Sequence, residues 1–182
     1  LPNGGWSITV EVHFYLLLPA LLYVSRKSRY GLILVLVAFI IIRALLHQEL
    51  GEIQTLSYWT IVGRIDQFLL GIIAFQFRQY LTGNHIAIFC MFILFSIFYW
   101  QFDLHGGIYE NPVYPSPKAV WIYFPTIEGL FYASIVSWYD NSFRHSIGRL
   151  SRFIALIGTY SYSIYLLHFF IVFTYVSHYN FR

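Results

Sequence analysis

Charge is what this sequence has least of. Asp, Glu, Lys and Arg make up 10% of its 182 residues, against about a quarter in an ordinary soluble domain. A water-soluble fold so short of charge could not cover its surface with polar groups, so lipid must be part of the solvent. Cysteine is almost absent as well. Cys90 is the single one, which excludes an internal disulfide, and its apolar neighbours suit a thiol packed within the membrane. No paired His/Cys set has metal-ligand spacing, no glycine-rich loop could cradle a phosphate, and no nucleophile elbow is present. A metal centre, a bound nucleotide cofactor and a soluble-type hydrolase are therefore unsupported. The net charge of +3 does not indicate nucleic acid, because the basic residues lie between apolar runs, where membrane topology accounts for them. The chain opens on Leu1, inside the motif-like stretch Asn3-Gly4-Gly5-Trp6-Ser7, with no charged leader before it. No signal peptide is visible, and we expect the native protein to continue upstream.

What is present is apolar and aromatic: 58% hydrophobic residues and 21% aromatic ones. The long runs approach the roughly 20 residues that a helix needs to cross the hydrocarbon core. Six spans are expected, at 7–24, 30–46, 58–80, 86–102, 119–139 and 153–178. The stretch from Asp103 to Lys118 holds Gly106, Gly107, Pro112, Pro115 and Pro117, which cannot continue a helix and make it a loop. Basic residues alternate between connections. Arg26, Lys27 and Arg29 fill the first, Arg78 edges the third, and Arg144, Arg149 and Arg152 fill the fifth. The second, His47 to Ser57, and the fourth carry little positive charge. By the positive-inside rule the odd connections are cytoplasmic and the even ones lie outside, with Trp6. The reading is an all-α, polytopic transmembrane helix bundle with about six spanning helices.

Polar side chains inside such helices are costly, roughly 2.5–3.5 kcal/mol for an ionisable group near mid-span, so each one needs a reason. Ser7 and Glu11 are four apart near the outer end of the first span and share a face. Ser7 can cap the helix and Glu11 can favour its positive end; alternatively, Glu11 orients a base or binds a substrate hydroxyl. In the third span Thr60, Arg64, Gln67 and Gly71 fall on one stripe, which argues for a bundle-facing Arg64 over a snorkelling one. Asp66 does not face Arg64 within that helix and needs a partner on another. Glu128 stands near the middle of the fifth span, after Pro125, either as a functional carboxylate or as a structural one at a proline kink. Gly158, Ser161, Tyr165 and His168 share a face of the sixth, suited to close helix packing or to a site.

Three segments together resemble the acyltransferase 3 family. Trp6-Ser7-Ile8-Thr9-Val10-Glu11-Val12-His13-Phe14-Tyr15 is similar to its WSLSxExxFY motif, with Ile8-Thr9 where Leu-Ser is usual. Gly63 to Gly71 is similar to its R-x-x-x-F-x-x-G segment, and Gly158 to His168 to its closing G-x-x-SYSIYLxH helix. The resemblance implies a single membrane domain of about ten helices, of which residues 1–182 form the C-terminal part. It implies transfer of an acyl group, commonly acetyl, from acyl-CoA as donor substrate to a hydroxyl of a cell-surface glycan, lipid-linked or related acceptor, in a bacterial inner or plasma membrane. No bound cofactor is implied. The family's base is a histidine in an R-x10-H pattern on its first helix, which no histidine here matches, so this segment is expected to be inactive alone. Carried over by position, Glu11 and Arg64 would act in catalysis, while Trp6, Ser7, Tyr15, Ser161 and His168 would bind or support the substrates. Two rivals stand beside this reading: a transporter with Arg64 and Glu128 as a relay, and a non-catalytic membrane scaffold.

Overall fold

The computed structural model describes residues 5–144 and 148–179. Among them every regular element is a helix: α1 (Gly5–Lys27), α2 (Gly31–Leu50), α3 (Gln54–Trp59), α4 (Ile61–Gln76), α5 (Arg78–Leu81), α6 (His85–Leu104), α7 (Val120–Ser142) and α8 (Arg149–Tyr179). Helices satisfy their own backbone groups, which is the condition for lying in lipid. Four of them, α1, α2, α6 and α7, are long and apolar enough to cross a membrane. Large apolar side chains such as Leu34, Ile86 and Leu94 stand exposed on their outward faces. Acyl chains cover such faces at no cost, and water would not. Cys90 is exposed on the same kind of surface.

The expected third span is not one helix. The chain breaks at Thr60, whose backbone is extended (φ −124°, ψ 165°). Its hydroxyl accepts from the Val62 N–H at 3.3 Å and donates to the Leu56 carbonyl at 2.6 Å, so one side chain closes α3 and caps α4. The chain breaks again at Phe77, before α5. At 16 residues, α4 is about 24 Å long. Before it, α2 runs to Leu50 and stops at Gly51, whose left-handed backbone (φ 75°) lets its N–H reach the His47 carbonyl. The segment expected as a loop up to Ser57 therefore holds the short α3 as well. That helix folds back onto α4 at Gly63, where a Cβ would strike the backbone of Ser57.

Side-chain pairs fix the helix directions. Phe14 stacks on Phe68 at 4.0 Å and Gln76 bonds Ser25, so α1 and α4 run parallel. Gly129 lies against Gln67, and Ser137 bonds the Ala74 carbonyl, so α7 also runs parallel to α4. Arg29 bonds Tyr80 and Arg43 bonds Asp66, so α2 is antiparallel to α4. His85 meets Trp138 and Phe102 meets Trp121, so α6 is antiparallel to α7. Such alternation is what the basic and non-basic connections require.

The apolar core has two parts. Leu21, Leu32, Leu36, Ile65, Leu69 and Leu70 join α1, α2 and α4. Ile53, Phe102, Trp121 and Phe124 gather at the end away from the basic connections, which the charge rule makes the outer end. At the basic end Arg29 donates to the Tyr80 hydroxyl at 3.0 Å, and this bond holds that phenol below its ordinary pKa. The chain forms two compact units, Val10–Phe143 and Leu1–Thr9 with Arg144–Arg182.

Candidate functional site

Two ion pairs lie within the Val10–Phe143 unit, and they differ in kind. The first joins three helices. Arg43 of α2 and Asp66 of α4 are fully buried and meet at 2.6 Å. The Arg43 guanidinium also donates to the Ile122 carbonyl at 2.7 Å, the Val62 carbonyl at 3.2 Å and the Thr126 hydroxyl at 3.0 Å. Thr126 in turn donates to the same Asp66 oxygen. The guanidinium thus spends most of its donors across α4 and α7, one turn around Pro125, where α7 lacks a backbone N–H. Nothing outside can reach this pair, and its tight charge-assisted bonds make it a clamp.

The second pair is looser and reachable. Arg64 of α4 and Glu128 of α7 approach at 3.5 Å, with side chains 12% and 14% exposed. Gln67 donates to the same Glu128 oxygen at 3.4 Å. Both contacts are at the outer limit of hydrogen bonding. Arg64 is held from behind: its Nε donates to the Tyr58 carbonyl at 2.9 Å, and its guanidinium lies 4.4 Å from the centre of the Tyr58 ring. That carbonyl belongs to the last turn of α3, so the break at Thr60 supplies the acceptor. Gly129 allows the approach of α4 and α7 here, since a Cβ would come within 3.0 Å of Gln67 Cα and of a Leu70 methyl. A guanidinium held by its Nε, whose contact to the Glu128 carboxylate is as long as 3.5 Å, can bind an anionic group or a developing negative charge.

The residues singled out from the sequence distribute as follows. Arg64 meets Glu128, and Asp66 finds its partner in Arg43. Of the expected stripe, Arg64 and Gln67 do face α7, whereas Gly71 is exposed. Glu11 is half-buried, one turn outward of Phe14, while Arg64 is one turn outward of Phe68. Because α1 and α4 run parallel and these two rings stack, Glu11 and Arg64 stand at about the same level along their helices. Tyr15 is exposed and does not join the cluster. In the other unit Ser7 lies within α1 and bonds the Tyr165 hydroxyl at 2.5 Å, and Trp6 is half-buried. Ser161 donates to the Gly158 carbonyl at 2.7 Å, and the His168 ring bonds the Tyr165 carbonyl, both within α8. Among the described residues no three His, Cys, Asp or Glu side chains gather as a metal ion would need.

Sequence reasoning passed over Arg43 and Thr126. Arg43 stands only three residues before the apolar run of α2 gives way to His47-Gln48-Glu49, where snorkelling accounts for an arginine, so its burial was not legible from its position.

A helical bundle with one sealed and one reachable ion pair in its interior is a multi-pass membrane protein with a built polar site. The model of the acyltransferase 3 family, described as an acyltransferase domain, matches residues 3–182. The chain belongs to that family of membrane acyltransferases. No curated protein and no solved structure that was compared with it matches.

Proposed function

We propose that the protein moves an acyl group, acetyl in the simplest case, from acyl-CoA to a hydroxyl of a cell-envelope glycan or similar acceptor. The observation that supports this is the reachable Arg64–Glu128–Gln67 cluster, level with Glu11 in the outer half of the bundle. In the reaction the acceptor oxygen attacks the thioester carbonyl and its proton passes to a base. The C–S bond then breaks, and the leaving thiolate takes up a proton. Arg64 stabilises the oxyanion that forms at the carbonyl. Glu128 and Gln67 hold Arg64 in reserve until that charge develops, and Glu11 orients the acceptor hydroxyl or the base. The resemblance supplies that base as a histidine outside the motifs present here. Trp6, Ser7, Tyr15, Ser161 and His168 remain substrate-binding or supporting positions on the same resemblance.

The test uses the full-length protein in its own membrane. Glu128→Gln, Arg64→Met and Glu11→Gln are each compared with wild type for ester-linked acetate released from the envelope by mild base. Losing a group that acts on the developing oxyanion lowers transfer about 100-fold or more, so Arg64→Met should fall by that much at unchanged protein level. Acetylation at the wild-type level in both Arg64→Met and Glu128→Gln would remove the cluster from the mechanism.

A further inference from the structure

The segment 105–119 has no regular structure, yet it is anchored by buried polar groups. Gln54 and Ser116 are fully buried and Asn111 nearly so. The Gln54 amide donates to the Ile108 carbonyl at 2.5 Å, and its oxygen accepts from the Ser116 N–H at 2.5 Å. The Ser116 hydroxyl donates to the Asn111 carbonyl and accepts from the Lys118 N–H at 3.2 Å. An irregular stretch of this length inside a compact unit is commonly functional, and this one is fastened to α3.

The anchor holds up a set of aromatic rings. Tyr109 and Tyr114 are 64% and 43% exposed, with centroids 5.8 Å apart. The Trp59 indole donates to the Tyr114 hydroxyl at 2.7 Å. Trp59 packs edge-on to Tyr58 at 4.9 Å, and Tyr58 carries the Arg64 guanidinium. These contacts run unbroken from the outer loop to the Arg64–Glu128 pair. An interfacial aromatic belt is the ordinary use of Tyr and Trp at this depth. A belt residue, however, needs only the right depth. It has no need of a partner ring, a buried anchor or a continuous path to an ion pair.

We propose that Tyr109, Tyr114 and Trp59 form an outer subsite for the acyl acceptor, taking a pyranose-like ring and handing its hydroxyl toward Arg64. This rests on the acyltransferase reading above. Such a ring has an apolar C–H face and a rim of hydroxyls, and a tyrosine offers the same division between ring and phenol. An alkyl-chain acceptor would call for an apolar groove without polar tips.

The experiment places purified full-length protein in liposomes with acetyl-CoA. The acceptor probe is the cell's own envelope polysaccharide, stripped of esters by mild alkali. Tyr109→Ala/Tyr114→Ala is compared with Tyr109→Phe/Tyr114→Phe. The alanine pair should raise the KM for polysaccharide about tenfold. It should leave kcat, acceptor-free acetyl-CoA hydrolysis and thermal stability unchanged, and the phenylalanine pair, which keeps the ring faces and loses the phenols, should raise KM only part of the way. A wild-type KM in the alanine pair, or parallel losses of KM, kcat and stability, would overturn the subsite. Transfer to a lipid alcohol alone would overturn it while leaving the acyltransferase reading standing. Wild-type protein inactive on every acceptor would sink both.

Discussion

Replacing Arg43 by Met tests whether the sealed pair is a charge clamp or merely one more interhelical hydrogen bond. Methionine fills much of the same volume and removes the positive charge. Asp66 then keeps a fully buried carboxylate whose remaining bonded partner is the Thr126 hydroxyl. Breaking a buried pair in this way costs about 3–5 kcal/mol, because an uncompensated charge is left behind. An ordinary hydrogen bond between membrane helices averages only about 0.6 kcal/mol. The two accounts thus differ severalfold, well outside the error of a denaturant titration. The second arm is the Arg43→Met/Asp66→Leu double variant. It removes both charges and should recover most of the loss, since apolar replacement of a whole buried pair is often neutral. The assay is SDS-titrated unfolding of the purified protein from mixed micelles, followed by tryptophan fluorescence. A loss of about 0.6 kcal/mol or less in Arg43→Met, or a double variant no more stable than the single, would refute the clamp.

Other outcomes follow from the same contacts. Gly63→Leu should prevent α3 from closing on α4, because even a Cβ collides with the Ser57 backbone; fluorescence-detected gel filtration should show loss of the monodisperse folded peak. Gln54→Ala should loosen the segment 105–119 by deleting its two bonds to the Gln54 side chain, and limited proteolysis from the outer side should then cut between Gly107 and Lys118 about tenfold faster, the ratio that about 1.4 kcal/mol of lost anchoring gives. Thr60→Val keeps the shape but deletes the α4 cap. It should cost about 1 kcal/mol in the same SDS titration, and no loss would mean that the break is set by packing instead.

Spans α1, α2, α6 and α7 were legible because each is a continuous apolar run, and hydropathy averages over such a run faithfully. The broken third span was not. Residues 54–81 read as a helix and its approach, because Thr60 is one polar residue in an apolar neighbourhood, and the break depends on Gly63 accepting the α3 backbone. Arg64, Asp66 and Glu128 stood out from the sequence because charge in lipid demands a reason. Which of them meet is a tertiary fact. Helical spacing shows that Arg64 and Asp66 face apart, but not that Arg43 and Glu128 are the partners they turn to. The alternation of basic connections puts both Glu11 and Arg64 in the outer half, but the relation of their two helices is seen only in the Phe14–Phe68 stack. Thr126 was invisible for another reason: a threonine in a membrane helix ordinarily bonds its own backbone.

Arg64 and Asp66 stand two residues apart on α4 and point to different neighbours, one across a contact with slack and the other across a contact with none. A small roll of α4 about its axis would therefore be resisted at the tight side and felt at the loose side. The sealed pair works as the pivot and the reachable pair as the moving end of the lever. Any movement of Arg64 relative to Glu128 would therefore be taken against a fixed bearing two residues away on the same helix.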